Sequence, residues 1–487
     1  MLFNSLHFAI FLPIVFILYW FATKGNLRLQ NILLLVASYF FYACWDWRFL
    51  FLLIFSTLLD YFTGIKIHEA GSRSRRLIWL WLSIGINLGF LGVFKYYNFF
   101  ADSFAKGLSL LGLQANFGTL QVILPVGISF YTFHGLSYVL DIYYKRIKPE
   151  RNFIDYSVFV SFFPLLVAGP IERATHLLPQ ILKKREFDYT KAVDGLRQIL
   201  WGLFKKMVIA DSCAEYANTI FNNSAAYSGT TLVLGALFFA FQIYCDFSGY
   251  SDIALGTARL FGIDLLRNFA FPYFSRDIAE FWRRWHISLS SWFRDYLYIP
   301  LGGSKGGMWM KVRNTFIIFI VSGFWHGANW TFIIWGLLNA IYIMPSIIFN
   351  TNRNYLDIVA KGKYFPTIKE IFSMAFTFGL TLIAWIFFRA KDVQHAFSYI
   401  KSIGKGLVHK LPYHETINFL HWQVGYVLPS LMILFILIEW IGREQQYALA
   451  DLGLKWKRPY RWAMYYTIAM SIFLFAGKEQ QFIYFQF

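Results

Sequence analysis

One histidine, His326, lies between two long apolar runs in residues 314–340, NTFIIFIVSGFWHGANWTFIIWGLLNA. A neutral imidazole suits proton abstraction near neutral pH, and burial favours that neutral, basic form. Tryptophans flank the histidine, and Gly323 and Gly327 would let the backbone bend and a ligand approach closely. We therefore predict that His326 acts as a general base. A buried histidine that only satisfies a neighbouring carbonyl is the alternative at this point.

Two carboxylates follow an apolar run in residues 242–252, QIYCDFSGYSD. Asp246 and Asp252 are functional candidates, because a carboxylate near bilayer depth is costly and usually pairs or faces a cavity. Three arginines are the expected partners of these aspartates, namely Arg276, Arg283 and Arg284. A structural ion pair that ties helices together without touching substrate is the alternative.

Residues 281–299, FWRRWHISLSSWFRDYLYI, carry apolar side chains at helical spacing. The stripe predicted for one helix face consists of Trp282, Trp285, Leu289, Trp292, Tyr296 and Ile299. A second stripe with Arg283, His286 and Ser290 lies about 100° around the same helix. Such an amphipathic helix lies in or near the membrane interface, with its polar edge toward a headgroup, a substrate phosphate or a polar mouth. A surface anchor without chemistry is the alternative.

The elements that position these residues belong to a membrane protein. Hydrophobic residues make up 57% of the 487 residues and charged residues only 15%, whereas a soluble domain is about a quarter charged. The formal net charge is +18, but the basic residues cluster between apolar runs, as in residues 73–76 and 145–151. This is the pattern of cytoplasmic loops. It makes nucleic acid an unlikely ligand, so we predict membrane lipids and no nucleic acid as partners.

About ten stretches are apolar enough to propose as spans, each needing roughly 20 residues. They are residues 7–22, 29–45, 48–66, 77–100, 119–144, 231–248, 315–323 continuing into 330–349, 371–388, 425–442 and 461–476. The first lacks preceding basic residues and is followed by Lys24 and Arg28, which predicts a retained span with its N-terminus outside. Residues 152–206 do not fit simple crossings. Either a segment that enters and returns on one face or a basic amphipathic surface helix would explain them.

Several soluble chemistries have no motif in the sequence. There is no GxxxxGK[ST] phosphate loop and no GxSxG nucleophile elbow. There is also no HExxH motif, and the cysteines (Cys44, Cys213 and Cys245) have no metal-ligand spacing, so we predict no metal and cysteines that pack as small hydrophobes. Other histidines sit in polar connecting segments and are expected to be ordinary loop residues, such as His395, His409, His414 and His421.

Three long motifs together resemble the membrane-bound O-acyltransferase (MBOAT) superfamily. They are QIYCDFSGYSDIALG, FWRRWHISLSSWFRDYLYIPLGGS and FWHGANWTFIIWGLLNA, in that order along the chain. The branch they resemble contains the membrane subunit for alginate O-acetylation, related peptidoglycan acetyltransferases and the teichoic-acid D-alanylation protein. The resemblance implies an all-α polytopic fold of about ten to twelve helices in a ring around a central funnel or tunnel, with re-entrant and interfacial helices, as one domain over residues 1–487.

The same resemblance implies a reaction and its residues. The family's invariant histidine corresponds to His326 and its second, tunnel-side position to His286, with Asp246, Asp252 and Asn329 as candidate supporting residues. The acyl donor would be a cytoplasmic thioester such as acetyl-CoA, with no bound cofactor, and Arg283 and Arg284 would suit its phosphates.

The resemblance also implies partners. The acyl group would pass to a hydrolase-like extracytoplasmic acetyltransferase that completes transfer to a polysaccharide, and the chain would lie in a bacterial plasma membrane. Direct transfer to a lipid or protein hydroxyl, or a non-catalytic role in glycan export, are the alternatives. The aromatic tail at 482–487 is expected to anchor at the membrane interface or to dock on the helices or the partner.

Overall fold

The chain folds into helices joined mostly by short connections. The computed structural model describes residues 1–114, 117–120, 123–167, 169–408, 413–476 and 480–483. No strand occurs within those ranges, so the predicted all-helical class is confirmed. The arrangement of the helices around a central tunnel stays a prediction.

The helices divide into two packing units. The first unit comprises Met1–Gly195 and Thr257–Leu266, and the second comprises Leu196–Gly256 and Arg267–Phe487. The helices from the N-terminus to the first crossing between units are α1 Leu6–Ile17, α2 Leu27–Asp46, α3 Arg48–Glu69, α4 Arg73–Leu91, α5 Tyr97–Leu110, α6 Ile128–Tyr143, α7 Phe153–Ser161, α8 Phe163–Leu166, α9 Ala174–Leu182 and α10 Tyr189–Leu203.

The remaining helices follow in the same chain order. They are α11 Asp211–Asn222, α12 Gly229–Leu260, α13 Ile278–Arg284, α14 Ile287–Phe293, α15 Gly307–His326, α16 Trp330–Ile348, α17 Ile368–Arg389, α18 Val393–Val408, α19 Tyr413–Asn418, α20 Val427–Ile441 and α21 Arg458–Phe475. Wider π-helical turns occupy Leu18–Ala22, Gly92–Tyr96, Phe204–Ala210, Arg294–Tyr298 and Phe419–Val424. His395, His414 and His421 therefore lie in helical turns and not in loops, and His409 lies outside the described residues.

Six helices within the described ranges are long and apolar enough to cross a membrane, and α19 with α20 would form a seventh span bent by 92°. These correspond to seven of the ten predicted stretches, and the chain is a multi-pass membrane protein. The other three stretches form shorter or more polar helices. Leu6–Ala22 is a shorter apolar helix, and the described residues of the stretch 119–144 include the 16-residue helix α6.

The first unit buries polar groups between its spans. Asp60 on α3 accepts hydrogen bonds from Ser83 Oγ (2.6 Å) and Asn87 Nδ2 (2.9 Å) on α4. On α6, Gly135 passes so close that a Cβ there would lie 1.8 Å from Asp60 Oδ2. These bonds join α3 to α4 by polar contacts inside an otherwise apolar bundle.

The segment 152–206 begins with three short helices, α7 to α9, and not with one surface helix. Phe159, Phe162 and Leu165 are completely buried there. Pro164 is the second residue of α8, and the chain has no helical structure at Gly169 and Pro170. Broken backbone surrounded by protein is the arrangement that the re-entrant alternative requires.

Helices α15 and α16 pack at very short range, and this packing places His326. A Cβ on Gly323 would lie 2.2 Å from the carbonyl oxygen of Phe332, and a Cβ on Gly336 would lie 2.2 Å from that of Phe319. Only glycine permits such backbone contact. The glycines that we expected to admit a ligand beside His326 instead admit the neighbouring helix. Gly327 likewise faces the Phe332 ring, 2.1 Å from where its Cβ would be.

Candidate active site

His326 is the last residue of α15 and is 96% buried, since only 4% of its surface is exposed. Aromatic rings enclose it, with ring centroids at 4.9 Å for Trp325, 5.1 Å for Trp335 and 5.3 Å for Phe388. All three meet the imidazole nearly edge to face. This cage fixes the ring in an apolar setting.

His286 lies at a break between α13 and α14, so the single helix predicted for 281–299 is wrong. Its backbone adopts the left-handed conformation, with φ of 44°, which a non-glycine residue rarely takes. A neighbouring segment stabilises the break, because Ala270 N–H donates to Arg284 O (2.9 Å) and Ile287 N–H donates to Asn268 O (2.9 Å). These bonds replace part of the helical ladder that the break interrupts.

Most of the predicted lipid-facing stripe is instead packed inside protein. Trp285 and Leu289 are each 2% exposed, and Trp292 is 7% exposed. The break turns His286 inward, where 1% of its surface remains exposed. The membrane-surface anchor is therefore not the arrangement that the structure shows for this segment.

Asn268 orients the His286 ring. The side-chain oxygen of Asn268 lies 3.1 Å from His286 Nδ1 and also accepts from Ser288 Oγ at 2.9 Å and Ser288 N at 3.4 Å. An amide oxygen can only accept, so Nδ1 carries the proton and Nε2 carries the lone pair. Burial lowers the pKa of His286 to about 3, which keeps the imidazole neutral.

The two histidines that the sequence singled out come together. Their ring centroids are 6.5 Å apart at an interplanar angle of 62°, and Trp325 lies beside both. Two buried imidazoles at this separation can act on one small reacting group. One of them can take a proton while the other donates or accepts a hydrogen bond.

The buried aspartates pair with lysines, and the predicted pairing with Arg276, Arg283 and Arg284 is wrong. Lys206 Nζ lies 2.8 Å from Asp246 Oδ1 and 2.6 Å from Asp211 Oδ1. Lys205 Nζ lies 2.5 Å from Asp252 Oδ2, and the Gln198 amide donates to Asp252 Oδ1 at 2.8 Å. The lysines come from the π-helical turn Phe204–Ala210, which packs beside α12.

Two of the three arginines form a separate network around Glu280. Arg276 and Arg284 both pair with Glu280, and Arg276 also reaches Asp357 and Glu370. Arg283 donates to the carbonyls of Asn352 and Tyr355 at 2.7 Å each. The phosphate-binding role expected of Arg283 and Arg284 stays a prediction.

Asn329 caps the helix that follows His326. Its Oδ1 accepts from Thr331 N at 3.0 Å as the N-cap of α16, and its Nδ2 donates to Lys391 O at 3.0 Å. In this position Asn329 fixes the start of α16 and the turn that follows His326.

The described residues 480–483 dock on the helices, against α12. Ile483 N–H donates to Asp246 Oδ2 at 2.7 Å, and Gln480 O accepts from Lys206 Nζ at 3.1 Å. The Phe482 ring packs 4.3 Å from Tyr250 and 6.2 Å from Phe247, whose ring lies 4.7 Å from His286. Residues 484–487 of the predicted aromatic tail lie outside the described residues.

Sequence reasoning missed Asn268, Lys205 and Lys206. The two lysines were visible as adjacent charges in an apolar segment, 199–210, which is the same signal that marked the aspartates. In the part of the chain that the structure describes, no group of three or more histidine, cysteine or carboxylate side chains could hold a metal. Cys213 and Cys245 are buried free thiols, and Cys44 is exposed.

Comparison with known proteins decides the family. Residues 144–388 match the model of the membrane-bound O-acyltransferase family. The chain belongs to this family. A probable alginate O-acetylase AlgI from Pseudomonas putida is 36% identical over all of both chains, and a peptidoglycan O-acetyltransferase from Helicobacter pylori is 34% identical over all of this chain and 98% of its own.

A more distant relative of this MBOAT chain is a teichoic acid D-alanyltransferase from Bacillus subtilis. It is 29% identical over 55% of this chain and 70% of its own. Membership of the family confirms the predicted acyltransferase class. The family match includes both His286 and His326.

Proposed function

We propose that this MBOAT protein transfers an acyl group, acetyl in the first instance, from a cytoplasmic thioester for O-acylation of an extracytoplasmic polysaccharide, with His326 as the catalytic base. The observation that carries the proposal is the pair of buried imidazoles at 6.5 Å inside the region that matches the family. A general base acts in its neutral form, and an apolar aromatic cage favours a neutral imidazole.

The reaction would proceed by attack of a hydroxyl on the thioester carbonyl. His326 removes the hydroxyl proton as the new C–O bond forms, giving a tetrahedral intermediate and an imidazolium. The intermediate collapses with cleavage of the C–S bond, and the imidazolium returns its proton to the departing thiolate. The products are an ester and a free thiol, so no oxidant or metal is required.

His286 is the second polar group at this centre. Because Asn268 holds its Nδ1 proton, Nε2 presents a lone pair and can accept the hydrogen bond of a hydroxyl. Its neutral form adds no charge near the developing imidazolium of His326. We assign His286 to positioning the attacking hydroxyl and not to proton removal.

The names of the relatives support the acceptor class. Two relatives that span essentially the whole chain are named for O-acetylation of alginate and of peptidoglycan, which are both extracytoplasmic polymers. We extend this to a polysaccharide acceptor here, with a hydrolase-like partner enzyme outside the membrane and a bacterial plasma membrane as the location. Acetyl-CoA is the donor we propose to test first, with Arg283 and Arg284 as candidate phosphate contacts.

The test is thioester turnover by the purified full-length protein. Wild type, His326→Ala and His395→Ala are compared for release of CoA thiol from acetyl-CoA and for acetyl esters on polysaccharide in reconstituted membranes. We expect His326→Ala to lose at least about a hundredfold in rate, the usual contribution of a general base. His395→Ala, a histidine on α18, should retain activity. Wild-type rates in folded His326→Ala would contradict the assignment.

A further inference from the structure

A pocket in the second packing unit is lined by aromatic rings around a buried carboxyl group. Its volume is about 160 Å³. The lining residues that matter here are Phe241, Tyr244, Tyr273, Phe378, Phe435 and Glu439. The pocket does not include either histidine of the proposed active site.

The planes of the lining rings lie at steep angles to one another. Tyr273 and Phe378 are 5.0 Å apart at 74°, and Phe241 and Phe435 are 6.2 Å apart at 76°. Tyr244 lies 5.0 Å from Tyr273 at 59°. Several aromatic rings around one pocket are the kind of lining with which aromatic cages bind ammonium groups.

Glu439 is a buried carboxyl group whose hydrogen bonds come from neutral donors. Its Oε2 accepts from Tyr244 OH at 2.6 Å and its Oε1 from Trp201 Nε1 at 3.2 Å. Among the described side chains, no lysine, arginine or histidine comes within ion-pair distance of it. The nearby Lys205 is held by Asp252 at 2.5 Å and Ser248 at 3.0 Å. A buried carboxylate of this kind gains stability from a cation.

The size of the pocket limits the ligand. A volume of about 160 Å³ equals that of about five water molecules at roughly 30 Å³ each. A trimethylammonium or ethanolammonium group has four heavy atoms, whereas a phospholipid acyl chain has many more. The pocket volume therefore matches the headgroup better than a whole acyl chain.

The position of Glu439 points to the headgroup level of a bilayer. It lies two residues before the end of the candidate span α20, and the next residue, Trp440, packs on Phe274 at 5.1 Å and donates to Tyr364 O. Tryptophan at the end of a span is typical of the interface. The adjoining Lys363 is exposed and can contact a phosphate.

We propose that this pocket binds the ammonium group of a zwitterionic phospholipid, with the phosphate toward the exposed lysine. The basic residues that follow this end of the span, among them Arg443 and Lys455, place it in the cytoplasmic leaflet by the positive-inside pattern. The bound headgroup would pair with the Glu439 carboxyl group and join α12, α17 and α20 through one ligand. This site does not depend on the proposed acyl transfer.

The experiment measures melting temperature of the full-length protein in nanodiscs of phosphatidylglycerol alone or with phosphatidylethanolamine or phosphatidylcholine. Wild type should melt several degrees higher with either zwitterionic lipid. Glu439→Gln and Phe378→Leu should lose this difference. Glu444→Gln, which removes a partly exposed carboxylate at the same end of α20, should keep it.

Glu439→Gln and Phe378→Leu change different parts of the pocket, because Phe378→Leu removes a ring and leaves Glu439 in place. Loss of the lipid preference in both variants would therefore indicate the pocket and not a single disrupted contact. Equal melting temperatures of wild type in all three lipids would overturn the proposal, as would an undiminished lipid preference in both pocket variants. Soluble tetramethylammonium chloride is the comparison for a free amine. If it alone stabilises wild type and the lipids do not, the site does not bind a lipid headgroup.

Discussion

At the scale of single residues, two buried histidines have different surroundings, and we propose different roles for them on that ground. Aromatic rings enclose His326, whereas His286 is tied through Nδ1 to Asn268. The hydrogen bond selects one tautomer of His286, and burial keeps it uncharged. This arrangement places a defined lone pair beside the ring that we propose as the base.

We expect Asn268→Ala to lower the rate constant of acyl transfer more than it changes KM. Loss of the acceptor frees the His286 ring to rotate or change tautomer, and a loss of about 1.4 kcal/mol in transition-state stabilisation is about tenfold in rate. The buried donors left behind should also cost about 1–3 kcal/mol of stability. Steady-state kinetics and thermal melts measure the two effects separately.

The control is Asn339→Ala, which removes another buried asparagine whose side chain donates to Trp335 O at 2.8 Å. It should lose stability with little change in the rate constant. Equal losses of rate in the two variants would show that Asn268 acts only through the fold.

At the scale of helices, periodicity located the elements better than their breaks. The 3,4 spacing from Trp282 to Ile299 is present, yet the chain turns left-handed at His286. Backbone hydrogen bonds with Asn268 and Ala270 stabilise that break. The positions of these two residues in the fold cannot be predicted from the local spacing of apolar residues. His326 was predictable because its signal, one polar residue between apolar runs, is local. Asn268 was not, because its role arises only from contact with a segment 18 residues away.

Two helical glycines should respond in opposite directions to alanine. Gly323→Ala would place a Cβ 2.2 Å from Phe332 O, so we expect a loss of about 1–3 kcal/mol from overpacking. Gly379→Ala on α17 meets nothing within 4 Å and should gain about 0.5–1 kcal/mol, because alanine favours the helix. Melting temperatures of the purified variants test both signs. Stabilisation by Gly323→Ala would mean that α15 and α16 do not pack as described.

At the scale of the whole molecule, composition established the membrane environment. Seven of the ten predicted stretches correspond to helices with the length and hydropathy of a span. Six helices, or seven with the bent pair, meet the length and hydropathy of a span within the described ranges. Apolar content also serves buried helices such as α6, in which Tyr131 and Tyr138 are almost fully buried. Hydropathy cannot distinguish a residue that faces lipid from one that faces protein, because both are apolar.

Stability of the whole protein should fall as pH drops below about 6.5, in part because of His286. Burial holds the pKa of His286 at about 3, below its ordinary value of 6.5, so between these values the unfolded chain binds the additional proton. The free energy of unfolding therefore rises with pH across this window. The contribution of His286 to stability is fully present above pH 6.5. For one such histidine the change from pH 6.5 to 5.5 is about 1 kcal/mol.

The measurement is the melting temperature of wild type and His286→Gln at pH 7.5, 6.5 and 5.5 in one detergent. Other titrating groups contribute to both proteins, so the difference between the two slopes isolates His286. We expect the variant to be less stable at pH 7.5 and to lose less of its stability on acidification. Parallel slopes would mean that His286 has the same proton affinity folded and unfolded, which its burial and its bond to Asn268 do not allow.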